Sequence, residues 1–196
     1  MPHIVIADAF HDFDQIRKEI LYGAHDAHRA QRGGPNGHSV KWFRDSEIPL
    51  TAHAIKEIAI KNLNSFSESL PNQSDIQFEY QFIEYNQPND QYNWHVDGVV
   101  SEGVAKSRRM TIALNLSTHG EDFAGGGFQL STVKGFLDNF NMNRVQETNF
   151  SSALTQTELK ILARKNSIVI FNPDTIHRGS PITSGIRHLL TVWAKW

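Results

Sequence analysis

Met110-Thr111-Ile112-Ala113-Leu114-Asn115-Leu116 alternates without a break, with Met110, Ile112, Leu114 and Leu116 on one face and Thr111, Ala113 and Asn115 on the other. Successive side chains of a strand point to opposite faces, so this period of two predicts a strand with one wholly apolar side. The same period governs Ile76, Phe78, Tyr80 and Phe82, with Ile83 and Tyr85 offset onto the second face. Residues 128–132, 167–171 and 188–196 read as further strands. Upstream the period changes. Residues 4–7 form a short apolar strand, and Asp12, as an N-cap, precedes Phe13, Ile16, Ile20 and Leu21 on one helical face. Residues 32–36 (RGGPN) have loop chemistry. Ile55, Ile58, Ala59, Leu63 and Phe66 predict a second helix over 52–70, with Pro71 just beyond it.

Helices followed by many short strands predict an α+β fold, with N-terminal helices packed on one sheet of a β-sandwich or barrel. Residues 133–160 read as an insertion or long connection with a short helix at 155–163. No internal repeat, low-complexity tract or linker interrupts the chain. Residues 1–196 therefore read as a single domain, helical over about 1–72 and β-structured over about 74–196.

Composition narrows the chemistry. The absence of cysteine excludes disulfides, thiolate zinc sites, cysteine-ligated iron–sulfur clusters and cysteine nucleophiles. It is compatible with a reducing cytoplasm, the expected location. A net charge of -2 gives no basic excess for a nucleic-acid partner. No apolar run approaches the ~20 residues of a membrane helix, and residues 1–10 do not have the pattern of a signal peptide.

The residues that carry chemistry stand in Tyr92-Asn93-Trp94-His95-Val96-Asp97, at the end of a strand region. Residues i and i+2 of a strand share a face, so His95 and Asp97 can present an imidazole and a carboxylate side by side. His177, just after the strand over 167–171, is the best third ligand. Two histidines and one carboxylate on one face of an octahedral metal leave three positions open, the arrangement of non-haem Fe(II) oxygenases. Arg187 lies ten residues after His177, and a hairpin turning at Pro181 and Gly185 would return it to the same cavity. Its planar fork could hold a carboxylate bidentately. Leu189, Thr191 and Trp193 share its face, so Thr191 could add a hydroxyl donor.

Beyond these residues, the chain from about Ile76 to Trp196 resembles the prolyl-4-hydroxylase-like branch of the Fe(II)/2-oxoglutarate dioxygenases, including the bacterial PKHD-type hydroxylases. The resemblance rests on Tyr85, on residues 92–97, on Arg109-Met110-Thr111 leading to Leu114-Asn115-Leu116-Ser117, on residues 122–128 (DFAGGGF), and on residues 177–187 (HRGSPITSGIR). It implies a double-stranded β-helix (jelly-roll) core of two sheets enclosing the metal. It implies Fe(II), 2-oxoglutarate and O2, with ascorbate as an optional addition, and hydroxylation of a C–H bond with release of succinate and CO2. Tyr85 would hydrogen-bond the 2-oxoglutarate, Thr191 and Trp193 would line its pocket, and Tyr92, with Trp193, would border the substrate. Asn115 stands where a tyrosine or other bulky residue is common, and its amide could still donate a hydrogen bond. Halogenating relatives lack the carboxylate ligand, so Asp97 argues for hydroxylation. The substrate would be a protein residue or a small molecule, and the aromatic rim of Tyr92, Trp94 and Trp42 suits a peptide.

Other features have plainer readings. Gly125 to Gly127 precede a strand and not a helix, which predicts a bend or bulge and not a phosphate cradle. Lys106, Arg108 and Arg109 read as a solvated loop. Residues 33–46 read as a lid, or as a segment that packs Trp42 on the core. His3, His11, His25, His28, His38, His53, His119 and His188 have no partner pattern. Two alternatives from other classes are a zinc hydrolase, disfavoured by the lack of an HExxH helix, and a non-enzymatic jelly-roll binding module.

Overall fold

An alternating strand whose second face is Thr111, Ala113 and Asn115 must find a partner on both sides if the whole strand is to be buried. The computed structural model describes residues 3–30, 37–67, 71–97, 108–130, 159–161 and 164–196. Among these, the elements in chain order are β1 (His3–Ile6), α1 (Phe13–Gly23), β2 (His28–Ala30), β3 (His38–Phe43), α2 (Pro49–Asn62), β4 (Gln77–Tyr85) and β5 (Tyr92–His95). They continue with β6 (Arg108–Asn115), β7 (Phe123–Leu130), β8 (Leu159–Ile161), β9 (Ser167–Phe171), β10 (His177–Gly185) and β11 (Arg187–Lys195). A seven-stranded sheet runs β1-β9-β6-β11-β4-β3-β2, and a four-stranded sheet runs β5-β10-β7-β8. Every neighbour in both sheets is antiparallel. These are the two sheets of the expected double-stranded β-helix.

The parity of the strands sorts two cores. Even-numbered Tyr80, Phe82, Ile112, Leu114, Leu190 and Val192 pack with Phe13, Ile16, Ile20, Ala52 and Ile55 of the two helices. Odd-numbered Ile83, Tyr85, Ala113, Val169 and Leu189 face the smaller sheet, where Phe128, Leu130 and Ile182 meet them. Both faces of the larger sheet are thus covered, which is why β9 (SIVIF) reads as a nearly continuous apolar run. The helices are tied to each other as well as to the sheet. Pro49 opens α2 with no N–H to satisfy, and the Glu19 carboxylate of α1 takes the next two, from Leu50 N at 3.0 Å and Thr51 N at 2.8 Å. The Thr51 hydroxyl donates to the same carboxylate at 2.6 Å.

Several expectations need correction. Asp12 sits at the N-cap of α1, but its side chain makes no capping bond. The second helix ends at Asn62 and continues as a 3-10 turn over Leu63–Ser65. The first 72 residues are not only helical, because β1, β2 and β3 belong to the larger sheet. Residues 38–43 are accordingly a paired strand and not a lid, whereas 31–36 lie outside the described residues. Leu159–Ile161 is a strand where a short helix was expected; the rest of the 133–160 segment lies outside the described residues. Residues 177–187 are not a hairpin. β10 and β11 belong to different sheets, and the chain crosses between them at Gly185 and Ile186. Gly185 has φ +79°, and a Cβ there would collide with the Asp122 carbonyl. The bend at Gly125–Gly126 is as expected, with φ +66° and +64° beside a register shift against β10.

Candidate active site

The crossing at Ile186 decides where each site residue lies. His177 opens β10 and is paired directly with His95, the last residue of β5. β11 starts at the opposite end, with Arg187 paired to Tyr85, and returns until Trp193 stands beside Thr111. The two sheets therefore enclose one cleft with histidines at one end and a guanidinium at the other.

At the first end, His95, Asp97 and His177 bring one ligand atom each within 4.8 Å of the others. His95 Nε2 is 3.6 Å from Asp97 Oδ1, and His177 Nε2 is 3.5 Å from Asp97 Oδ2. Each imidazole uses Nδ1 on a backbone carbonyl, Asn93 O at 2.6 Å for His95 and Thr175 O at 2.8 Å for His177. A carbonyl only accepts, so Nδ1 carries the proton and both Nε2 lone pairs point toward Asp97. Burial, reinforced by the neighbouring His177, lowers the His95 pKa to about 3, so the ring is neutral at ordinary pH. Burial alone would push the Asp97 carboxyl up. The His177 and His95 imidazoles, with Trp193 and Thr111, outweigh it and hold the pKa below the usual range. Asp97 is fixed on three sides: its N–H donates to Pro173 O at 2.8 Å, Thr111 Oγ1 donates to Oδ2 at 2.9 Å, and Arg108 Nη1 reaches its carbonyl at 3.4 Å. With Nδ1 of each ring spent on a carbonyl, two Nε2 atoms and one carboxylate form a set that could hold a divalent cation.

At the other end, Arg187 is 1% exposed. One N–H, from Nη1, is used on Gly127 O at 3.1 Å, while Nε and Nη2 have no partner among the described residues. Burial lowers its pKa from the ordinary value, and the nearby group that offsets this is the Tyr85 phenol, not a carboxylate. Leaving buried donors of a charged group unpaired costs several kcal/mol, so this cation fits an anionic ligand. Tyr85 and Gly179 close the cleft beside it. A Cβ on Gly179 would lie 2.6 Å from the Tyr85 hydroxyl and 3.5 Å from Arg187 Nη1, so only glycine leaves room there.

The cleft between the two ends encloses about 350 Å³, including its open mouth, and is lined by Tyr85, Tyr92, His95, Asp97, Phe128, His177, Gly179, Leu189, Thr191 and Trp193, with Gln81 and Ile83. Thr191 and Trp193 are thus on its wall. Asn115 is not. Its Nδ2 donates to Ser167 Oγ at 3.0 Å, and Ser167 in turn donates to Arg164 O, which commits the amide donor to the sheet. Tyr92 packs edge-on against the His95 ring at 4.0 Å. Trp42, 46% exposed, stacks on Trp193 at 5.5 Å. Trp94 lies instead under the Arg178 guanidinium, at 4.6 Å, and Arg178 bonds Gln129. Arg108, expected in a solvated loop, is in β6, bound to Glu79 at 2.9 Å and stacked 3.9 Å over Trp193. Sequence reasoning missed His38 altogether. It is 1% exposed on β3, packed behind the cleft-lining Tyr85 and Tyr92, and only its alternation with Val40 and Trp42 hinted at an inward position.

The comparisons with known proteins agree with this geometry. Residues 80–195 match the model of the 2OG-Fe(II) oxygenase superfamily. No curated protein matches the chain by sequence. Among solved structures, a Pseudomonas putida prolyl-4-hydroxylase is similar in fold, with a TM-score of 0.65 and 18% identity over 98% of this chain and 91% of that one. A Trichoplax adhaerens prolyl hydroxylase, solved with a hypoxia-inducible-factor peptide fragment, gives 0.65 and 14% over 98% and 83%. The carbocyclase SnoK of nogalamycin biosynthesis gives 0.69 and 14% over 98% and 79%. These likenesses are of fold, and the prolyl hydroxylases among them are the branch the sequence resembles. No helix among the described residues is long and apolar enough to cross a membrane. The superfamily match spans more than half of the chain and sets aside the zinc-hydrolase and binding-module alternatives: the chain belongs to the 2OG-Fe(II) oxygenase superfamily and is a 2-oxoglutarate- and Fe(II)-dependent oxygenase.

Proposed function

We propose that the chain, acting as a single domain, hydroxylates a C–H bond of a protein residue or of a small molecule, with succinate and CO2 as coproducts. The observation that carries this reading is the pairing of a two-histidine, one-carboxylate cluster at one end of the cleft with a buried, under-bonded Arg187 at the other. His95, Asp97 and His177 would hold Fe(II), and Asp97 leaves no ligand position for a halide. Arg187 would receive the distal carboxylate of 2-oxoglutarate through its free Nε–H and Nη2–H, with the Tyr85 hydroxyl alongside. Thr191 would add a hydroxyl to the same wall. When bound, the metal and cosubstrate supply the oxidising chemistry: 2-oxoglutarate, O2 and a C–H bond become succinate, CO2 and a C–OH group. The protein orients the partners, keeps the His95 imidazole neutral and excludes water behind Phe128, Leu189 and Tyr85.

Tyr92 and Trp193 would border the substrate. Trp42 extends the surface of Trp193 out of the cleft, which favours a peptide segment as the occupant of the mouth. A reducing cytoplasm would keep the iron ferrous, and ascorbate would serve only to restore it. The test is succinate formation by the Fe(II)-loaded protein, with and without proline-containing peptides and small-molecule panels. Succinate that rises with one substrate, together with a product heavier by one oxygen atom, is the expected result. Succinate that no substrate stimulates, with no oxygenated product, counts against hydroxylation.

A further inference from the structure

His38 lies on β3, outside the span of the superfamily match, yet it is 1% exposed and its ring packs against two residues that line the cleft. Two aromatic residues of the site touch it. The Tyr92 ring is 4.5 Å away and the Tyr85 ring 5.7 Å away, both tilted. Tyr92 continues the contact to His95 at 4.0 Å, and His95 to His177 at 4.1 Å. Five rings thus form a chain from the metal ligands to the tyrosine beside Arg187, and His38 is the link between its two halves. The ring is itself anchored, since His38 Nδ1 donates to Gln91 O, the residue just before β5, at 3.2 Å. The Tyr85 hydroxyl lies beside Gly179, where no side chain would fit. Tyr85 is therefore packed against backbone at its hydroxyl and against an imidazole at its ring.

We propose that His38 is a positioning residue for 2-oxoglutarate: its ring, wedged between Tyr85 and Tyr92, holds the Tyr85 hydroxyl at the Arg187 end of the cleft. The inference rests on the 2-oxoglutarate reading of that end. Its ring contact with the metal ligands runs through Tyr92, whereas it packs on Tyr85 itself, so its larger effect falls on the cosubstrate.

Two variants separate the ring from its hydrogen bond. His38→Phe keeps a ring of similar width and loses the donor to Gln91. His38→Asn keeps a donor and loses the ring. Calorimetry gives the 2-oxoglutarate Kd of the Mn(II)-loaded protein and the Mn(II) Kd of the metal-free protein, for wild type and both variants. The expected result is a 2-oxoglutarate Kd about tenfold weaker in His38→Asn and within about threefold of wild type in His38→Phe, with Mn(II) affinity within about threefold throughout. A wild-type Kd in His38→Asn overturns the proposal. So does a loss in His38→Phe as large as that in His38→Asn, or a loss shared equally by Mn(II). His38→Ala, which also removes the ring, takes the place of His38→Asn if that variant fails to fold. Wild-type protein that binds Mn(II) but no 2-oxoglutarate removes the parent reading, and this one with it.

Discussion

The two faces of the seven-stranded sheet are built by the same strands and have opposite characters. Toward the helices, β4, β6, β9 and β11 present Tyr80, Phe82, Ile112, Leu114, Ile170, Leu190 and Val192, all buried among apolar neighbours. On the other face, apolar Ile83, Ala113, Val169 and Leu189 are interrupted by the equally buried polar residues Tyr85, Thr111, Arg187 and Thr191. One residue of register separates a side chain that stabilises from one that binds, so a slip by one would exchange the two. The helix face is satisfied by packing alone. The cleft face holds an under-bonded cation and a carboxylate that faces two imidazoles, features that a core built only for stability would not retain.

If that division is right, substitutions on the two faces fail in different ways. The largest separation is expected at Arg187. Arg187→Met removes a buried, poorly paired charge, so the variant melts no lower than wild type, yet its 2-oxoglutarate affinity falls by at least about 100-fold, roughly 3 kcal/mol of charged hydrogen bonds. Thermal melts and binding titrations check this together. Ile112→Ala is its mirror image. It opens a cavity under the helices and costs about 2–5 kcal/mol of stability, while the folded fraction binds 2-oxoglutarate as before.

A pH series sharpens the comparison at the metal end. The His95 pKa is about 3 in the folded chain against 6.5 when free. The unfolded state therefore binds a proton that the native state refuses between those values. Stability of the metal-free protein falls as pH drops from about 6.5 toward 3, and is flat with respect to this group above 6.5. His95→Asn shows a shallower decline by denaturant titration. A smaller effect is expected at Thr111→Val, which withdraws the donor to Asp97 Oδ2. Metal affinity drops about tenfold, with little change in melting temperature. The smallest is at Glu19→Gln. It weakens the cap on α2 by about 1 kcal/mol in a denaturant titration and leaves both ligands bound as in wild type.

How legible each part was in the sequence follows from the same division. The strands β4, β6, β9 and β11 could be read because a period of two is a local signal, and the HxD pair could be read because i and i+2 share a face. The direction of Arg187 could not. Ten residues after His177 suggested a hairpin, but β10 and β11 pair with strands far away in sequence, and Gly185 turns the chain from one sheet to the other. Arg187 reaches the cleft from the far end. β3 was obscured for a related reason: His38, Val40 and Trp42 alternate over only six residues, and their partners Ile83 and Gln81 lie forty residues on. Asn115 shows what a local period leaves out. Its position on the polar face was right, but the Ser167 hydroxyl on the neighbouring strand takes its donor. Glu19 at the start of α2 carried no signal at all, since the contact joins two helices across thirty residues.

The central claim is that the cation at one end of the cleft and the ligand cluster at the other serve one molecule of 2-oxoglutarate. Its most direct test is an anaerobic titration of the Fe(II)-loaded protein with 2-oxoglutarate, following the weak visible charge-transfer band of a chelated 2-oxoacid, with Arg187→Met run alongside. The account predicts a saturable band in wild type and, in the variant, a band that requires at least about 100-fold more 2-oxoglutarate. A band that saturates identically in both proteins, or no band with iron shown to be bound, would contradict it.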